Sequence, residues 1–163
     1  KRCGRGIKIG AEIGIKGIVD AFVKFAFDKI DWKNAKESNT GDYSAATNTG
    51  DYSAATNTGK YSAATNTGYY SAATNTGDRS AATNTGDYSA AIVEGKESVA
   101  IATGIKSMAR GALGCYIVVA EWEQDEHRNW HIKDLQSAKV DGEKIKAGVF
   151  YMLKNGEFVE VQE

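Results

Sequence analysis

The chain carries few side chains capable of covalent or metal chemistry, and their spacing decides how each one reads. His127 and His131 stand four apart beside Asp125 and Glu126. That spacing serves zinc when both imidazoles share a helix face and a third ligand joins them. The run QDEHRN has the composition of a turn and supplies no third ligand, so the pair reads as a solvated turn. Cys115 lies in an apolar strand pattern. A nucleophilic thiol needs a base beside it; nothing links Cys115 to either histidine, and it reads as a buried structural thiol. Asp42, Asp51, Asp78 and Asp87 invite comparison with calcium-binding nonapeptide rolls. Those rolls need Gly-Gly-x-Gly-x-Asp turns to supply their oxygens. Here each unit has one glycine, and Lys60, Tyr69 and Lys96 replace the aspartate, which argues against calcium. GRGIKIG lacks the Lys-Ser/Thr and the strand-to-helix setting of a phosphate loop. No catalytic residue, cofactor or metal is expected, and the chain is read as non-enzymatic.

Recognition chemistry is better represented. Tyr43, Tyr52, Tyr61, Tyr70 and Tyr88 recur at one repeat position and are expected to stack into an exposed aromatic ladder. Such a ladder is first a stacking device, and it is also a surface for a glycan or protein ligand, because Tyr joins area to a polar tip. Thr47, Thr56, Thr65, Thr74 and Thr83, each followed two residues later by a second Thr, form the other candidate surface. Outward Thr-x-Thr ranks resemble those of ice-binding solenoids; the plainer reading is that Thr suits an exposed strand.

The elements that position these columns follow from a nine-residue repeat over residues 41–103: GDYSAATNT twice, GKYSAATNT, GYYSAATNT, GDRSAATNT, GDYSAAIVE and GKESVAIAT, with a shorter GIKSMAR running into GALG. A period this short holds one strand and one turn, so the units must stack into a solenoid. Two units per coil predict an eighteen-residue turn and about four coils, roughly 15–20 Å tall at ~4.8 Å per layer. The fourth position is always Ser and the sixth always Ala. Two apart on a strand is one face, so Ser and Ala are expected to line a narrow interior. The fifth and seventh positions share the outer face and drift from Ala/Thr to Val99, Ile92 and Ile101, which predicts a cover there, either the C-terminal region or a neighbouring chain. The first-position Gly is expected to serve a positive φ or a tight corner. The eighth-position Asn side chains are expected to bond one another up a ladder.

Around the repeat lie two other regions. Residues 1–38 alternate Ile7, Ile9, Ala11, Ile13 and Ile15 like a strand, then place Ile18, Phe22 and Phe25 at helical spacing, which predicts a strand and helix capping the solenoid end. Residues 39–110 form the roll. Residues 111–163 read as an antiparallel module: CYIVVAEWE and WHIKDLQSAKV flank QDEHRN, Asp141-Gly142 marks a turn, and Asn155-Gly156 is a type I′ hairpin signal. The fold class expected is therefore mainly β, a parallel β-solenoid with an N-terminal helical cap and a small C-terminal antiparallel sheet. The 163 residues carry a net charge of -1 and no proline. That balance argues against nucleic acid as a partner; no apolar run is long enough to span a bilayer, and the interrupted N-terminal stretch predicts no secretory signal. Cys3 and Cys115 form no disulfide framework; they read first as two unpaired or buried thiols, with a disulfide between them as the alternative.

The unit G-x-x-S-x-A-x, clearest in GKESVAIATGIKSMARGALG, resembles the head repeats of YadA-like trimeric autotransporter adhesins. The likeness covers residues 41–114; most units here are two residues longer. The arrangement as a whole is similar to TNTG-repeat proteins of gut bacteria and their phages. The resemblance implies a left-handed β-roll, a homotrimer, and a place on a cell surface or virion. The reading that results is a structural or surface-binding module, adhesin-like or phage-associated, with ice binding through the Thr rows as the alternative.

Overall fold

The computed structural model describes residues 36–161, and the helical cap expected within residues 1–38 falls, up to residue 35, outside them. Short strands of four residues recur as β1 (Lys36–Asn39), β2 (Ala45–Asn48), β3 (Ala54–Asn57), β4 (Ala63–Asn66), β5 (Ala72–Asn75), β6 (Ala81–Asn84), β7 (Ala90–Val93), β8 (Val99–Ala102) and β9 (Met108–Gly111). Longer ones follow: β10 (Tyr116–Gln124), β11 (Trp130–Lys139), β12 (Phe150–Lys154) and β13 (Glu157–Val161). Each repeat strand pairs in parallel with the strand two units on, so Ala45 lies beside Ala63 and Ala54 beside Ala72. The result is a β-solenoid of eighteen-residue coils with two sheets, ordered β1-β3-β5-β7-β9-β12-β13 and β11-β10-β8-β6-β4-β2. Ten strands, two per coil, make about five coils.

The extra coil comes from both ends of the recognisable repeat. KESN at 36–39 has no repeat consensus apart from its Asn-Thr-Gly exit, yet β1 pairs with β3 in full register. At the other end the expected seven-residue unit is a complete coil half: β9 ends on Gly111, opposite Val93. β10 then continues in parallel with β8, Tyr116 beside Val99 and Val119 beside Ala102. One residue is dropped on the way, because Tyr116 and Val99 are seventeen apart rather than eighteen. Cys115 thereby stands in the Ser column, its Sγ donating to Gly95 O at 3.0 Å, as Ser98 Oγ donates to Gly77 O at 3.1 Å.

The interior is as narrow as the repeat implies. Ala55, Ala64, Ala73, Ala82, Ala91, Ala100 and Ala109 are fully buried, with Ser62, Ser71, Ser80, Ser89, Ser98 and Ser107 close behind. Methyl groups bury little area, so the hydrophobic return per coil is small and polar bonds complete the interior. Asn57, Asn66, Asn75 and Asn84 point inward, at 0% exposure. Their amides do not bond one another, contrary to the ladder expected. Asn75 Nδ2 instead donates to Ser62 O, Ser62 Oγ and Ala81 O, each at 3.2 Å, while its Oδ1 accepts from Gly77 N at 2.9 Å. The side chain thus ties both corners of a coil together; a self-ladder would have left those corner groups without partners. Serine hydroxyls link coil to coil: Ser80 N donates to Ser98 Oγ at 3.0 Å, and Ser71 N to Ser89 Oγ at 3.0 Å.

The first-position glycines have a different reason from the one expected. The left-handed residue at each corner is the third one: Tyr43, Tyr52, Tyr61, Tyr70, Arg79, Tyr88, Glu97 and Lys106 have φ of 51° to 55°. Glycine is needed because coils touch there. A Cβ on Gly59 would lie 1.9 Å from Gly41 O, and one on Gly77 would lie 1.8 Å from Gly59 O. In the first described coil a Cβ on Gly41 meets, among the described residues, only side-chain atoms at 3.6 Å and beyond.

Second-position residues stack on the same corners and alternate by coil: Asp42, Lys60, Asp78, Lys96 along one edge, and Asp51, Tyr69, Asp87, Ile105 along the other. Each Asp accepts from the backbone N–H eighteen residues on, at Lys60, Tyr69, Lys96 and Ile105, over 2.8–2.9 Å. That bond gives the aspartates a structural occupation independent of any cation.

At the C-terminal end β10 pairs antiparallel with β11, and β12 with β13, through the hairpins that QDEHRN and Asn155-Gly156 predict. Asn155 and Gly156 have φ of 53° and 74°, the signs a type I′ turn requires. Each pair extends one solenoid sheet edge to edge. The C-terminal strands therefore do not cover the outer faces: Ile92, Val99 and Ile101 stay half-buried, like the Thr and Ala residues they replace.

Candidate binding surface

Alternate units face opposite edges, so the tyrosines make two columns rather than one. Leading into β2, β4, β6 and β8, the third positions are Tyr43, Tyr61, Arg79 and Glu97. Leading into β3, β5, β7 and β9, they are Tyr52, Tyr70, Tyr88 and Lys106. In the first column the Tyr43 and Tyr61 rings stack at 5.0 Å and 8°. Arg79 prolongs the stack, its guanidinium carbon 5.8 Å from the Tyr61 centroid and Nη1 2.8 Å from the Tyr61 hydroxyl. Arg79 Nε then reaches Glu97 Oε2 at 2.7 Å. The bonds to Glu97 and Tyr61 hold the guanidinium pKa above its usual value. In the second column Tyr52 stacks on Tyr70 at 5.4 Å and Tyr70 on Tyr88 at 5.1 Å, and Lys106 Nζ lies 5.6 Å from the Tyr88 centroid.

A tyrosine at a left-handed φ costs about 1 kcal/mol or more, since its Cβ crowds the following carbonyl. The columns offset that cost, because aromatic pairs return about 0.5–1.5 kcal/mol each. Corner hydrogen bonds fix the geometry: Tyr43 N donates to Lys60 O at 2.9 Å and Tyr52 N to Tyr69 O at 2.8 Å. Stacking also occupies ring faces. Tyr61 and Tyr70, inside their columns, are 45% and 46% exposed, whereas Tyr43 and Tyr52 at the ends are 80% and 78% exposed. Inner tyrosines therefore offer hydroxyls and ring edges, and only the end rings offer a free face.

Beside the first column runs a shallow groove of about 570 Å³, walled by Tyr43, Tyr61, Arg79 and Glu97 and floored by Ala45, Ala63, Ala81 and Val99. It crosses four coils, about 14 Å at ~4.8 Å per step. Sequence reasoning missed Arg79 and Glu97 as members of the column, and Tyr69, whose ring meets Tyr70 edge-on at 4.6 Å. The signal was present in the eighteen-residue spacing, which puts Arg79 directly after Tyr61.

The threonines divide in the same way. Thr47, Thr65 and Thr83 stand in register on β2, β4 and β6, and Thr56 and Thr74 on β3 and β5 of the other sheet. Thr49, Thr58, Thr67, Thr76 and Thr85 are exposed just beyond the strands. The ranks end at Ile101 on one sheet and Ile92 on the other.

The catalytic candidates do not converge. Cys115 is a free thiol, fully buried in the roll, whereas His127 and His131 are exposed at a hairpin. Asp125 organises that hairpin, accepting from His127 N and Asn129 N at 2.8 Å and lying 3.1 Å from His131 Nε2. Its carboxyl is held below the usual range, chiefly by the Asn129 N–H. Among the described residues no three His, Cys, Asp or Glu side chains group as a metal site, and no helix is long and apolar enough to cross a membrane. No family model, curated protein or solved structure matches the chain.

Proposed function

We propose that the chain is a structural, surface-binding repeat module, adhesin-like or phage-associated, whose working surface is the pair of tyrosine columns. The observation that carries this reading is the residue choice at the corners. Gly or Asn would occupy a left-handed φ at lower cost, yet Tyr43, Tyr52, Tyr61, Tyr70 and Tyr88 hold it. The groove beside Tyr43 and Tyr61 suits an extended ligand laid across the coils, a short peptide or glycan stretch, bonded by tyrosine hydroxyls and by Arg79 and Glu97.

Binding to arrayed peptides and immobilised glycans tests it. Retention of the wild-type chain, lost in Tyr43→Ala/Tyr61→Ala with an unchanged circular dichroism spectrum, supports the reading. Retention on neither support, or a double variant retained equally well, ends it. The trimeric version predicts a threefold mass in sedimentation, and a monomer removes that version.

A second reading, ice binding, is favoured only by the registered rank Thr47, Thr65, Thr83. Thermal hysteresis abolished by Thr65→Tyr supports it; its absence in the wild-type chain removes it.

A further inference from the structure

A separate concavity lies where the last coil meets the hairpins. It encloses about 300 Å³ and draws on four segments: the corner before β9, the far half of β10, the start of β11, and β12. Ala120 and Leu153 are buried and form its floor; Lys106, Trp130 and Lys154 are exposed and form its rim. Three polar side chains of its lining, Trp122, Ser107 and Glu121, are already occupied. Trp122 Nε1 donates to Thr103 O at 2.9 Å, leaving ring carbon toward the cleft. Ser107 Oγ donates to Gly86 O at 2.8 Å. Glu121 accepts from Gly156 N at 2.8 Å through one oxygen and pairs with Lys133 at 3.0 Å through the other. The one acid of the lining is thus neutralised from outside, and the rim keeps two amines, of which Lys106 has only the Tyr88 ring beside it. An apolar, indole-lined interior with a net positive rim fits a body without hydrogen-bonding needs and a negative head.

We propose that this cleft binds a small, planar, apolar organic anion, its ring system against Trp122 and Trp130 and its charge between Lys106 and Lys154. The volume is at the lower end for ligand pockets, which suits a one- or two-ring molecule.

The test uses the whole chain and two dyes of matched shape: anilinonaphthalene sulfonate, an anion, and neutral phenylnaphthylamine. The sulfonate is expected to saturate one site per chain with energy transfer from tryptophan. Its dissociation constant should rise at least tenfold in Lys106→Gln/Lys154→Gln, while that of the neutral dye is unchanged. Trp130→Ala, at an exposed position, should weaken both dyes at least fivefold without altering the circular dichroism spectrum. Non-saturable binding, equal affinity for the two dyes in the wild-type chain, or sulfonate binding unmoved by either variant overturns the proposal.

Discussion

A Cβ has no room at Gly77, where it would lie 1.8 Å from the Gly59 carbonyl oxygen, whereas one on Gly41 meets no described residue nearer than 3.6 Å. Backbone cannot yield there as a flexible side chain would, so the two substitutions should differ sharply. Gly77→Ala is expected to cost about 3 kcal/mol or more in urea unfolding, at the upper end for overpacking. Gly41→Ala, in the context GDYS where Gly77 has GDRS, should stay within about 0.5 kcal/mol. Equal effects would show that the glycine serves its own corner instead of the coil above. The third position gives a second contrast. Glu97 holds φ 53° for a side chain whose ion pair with Arg79 is solvent-exposed and so worth little. Glu97→Asn should therefore raise stability by about 0.5–1 kcal/mol, since Asn visits the left-handed region readily. Tyr70→Asn, which loses ring contacts to both Tyr52 and Tyr88, should lower it by about 1 kcal/mol.

At the scale of elements, local signals were readable and non-local ones were not. Asn155-Gly156 and QDEHRN announce their hairpins within a few residues, and Ser/Ala at alternate positions announces the buried face. The reason for the first-position glycine lies eighteen residues away in sequence, and so does the partner that makes a column out of Tyr61 and Arg79. β1 was hidden because Lys36-Glu37-Ser38 shares no consensus with Ala-Ala-Thr. β10 was masked by the single deleted residue before Gly114, which takes over the left-handed corner with φ 88°. The tryptophan cleft was invisible for a like reason: two of its four segments, the start of β11 and β12, lie outside the repeat altogether.

The hairpins also carry an acid response. Gly156 N–H and then Lys133 hold the Glu121 carboxyl below its usual range; Ile145 N–H does so for Asp141, and Lys146 for Glu160. A carboxyl depressed in the folded state adds stability above its unfolded value, about pH 4, and that stability is lost as the pH falls through the folded value. Tryptophan fluorescence and amide exchange should therefore report loosening of β10–β13 between about pH 4 and pH 2. Exchange in these strands that is unchanged over that interval would contradict the assignment.

Across the whole molecule, the second-position alternation bears on how near-identical coils find their neighbours. Any Ala-Ala-Thr-Asn strand can pair with any other, so a coil could be looped out and β2 laid on β6 with every backbone bond intact. That slip would set Asp42 against Asp78, and the equivalent slip of β4 onto β8 would set Lys60 against Lys96, like charges one strand apart, whereas correct stacking sets each Asp beneath a Lys on that edge. Lys60→Asp, which removes the alternation, should cost about 0.5–1 kcal/mol at low salt, recovered as salt screens it. It should also leave a fraction of chains sensitive to protease within residues 49–85, and full resistance would argue against this role. Charge of alternating sign, of little value as a stabilising contact, would then act as a parity check on counting: a chain that skips one coil meets repulsion at once, and one that skips none meets it nowhere.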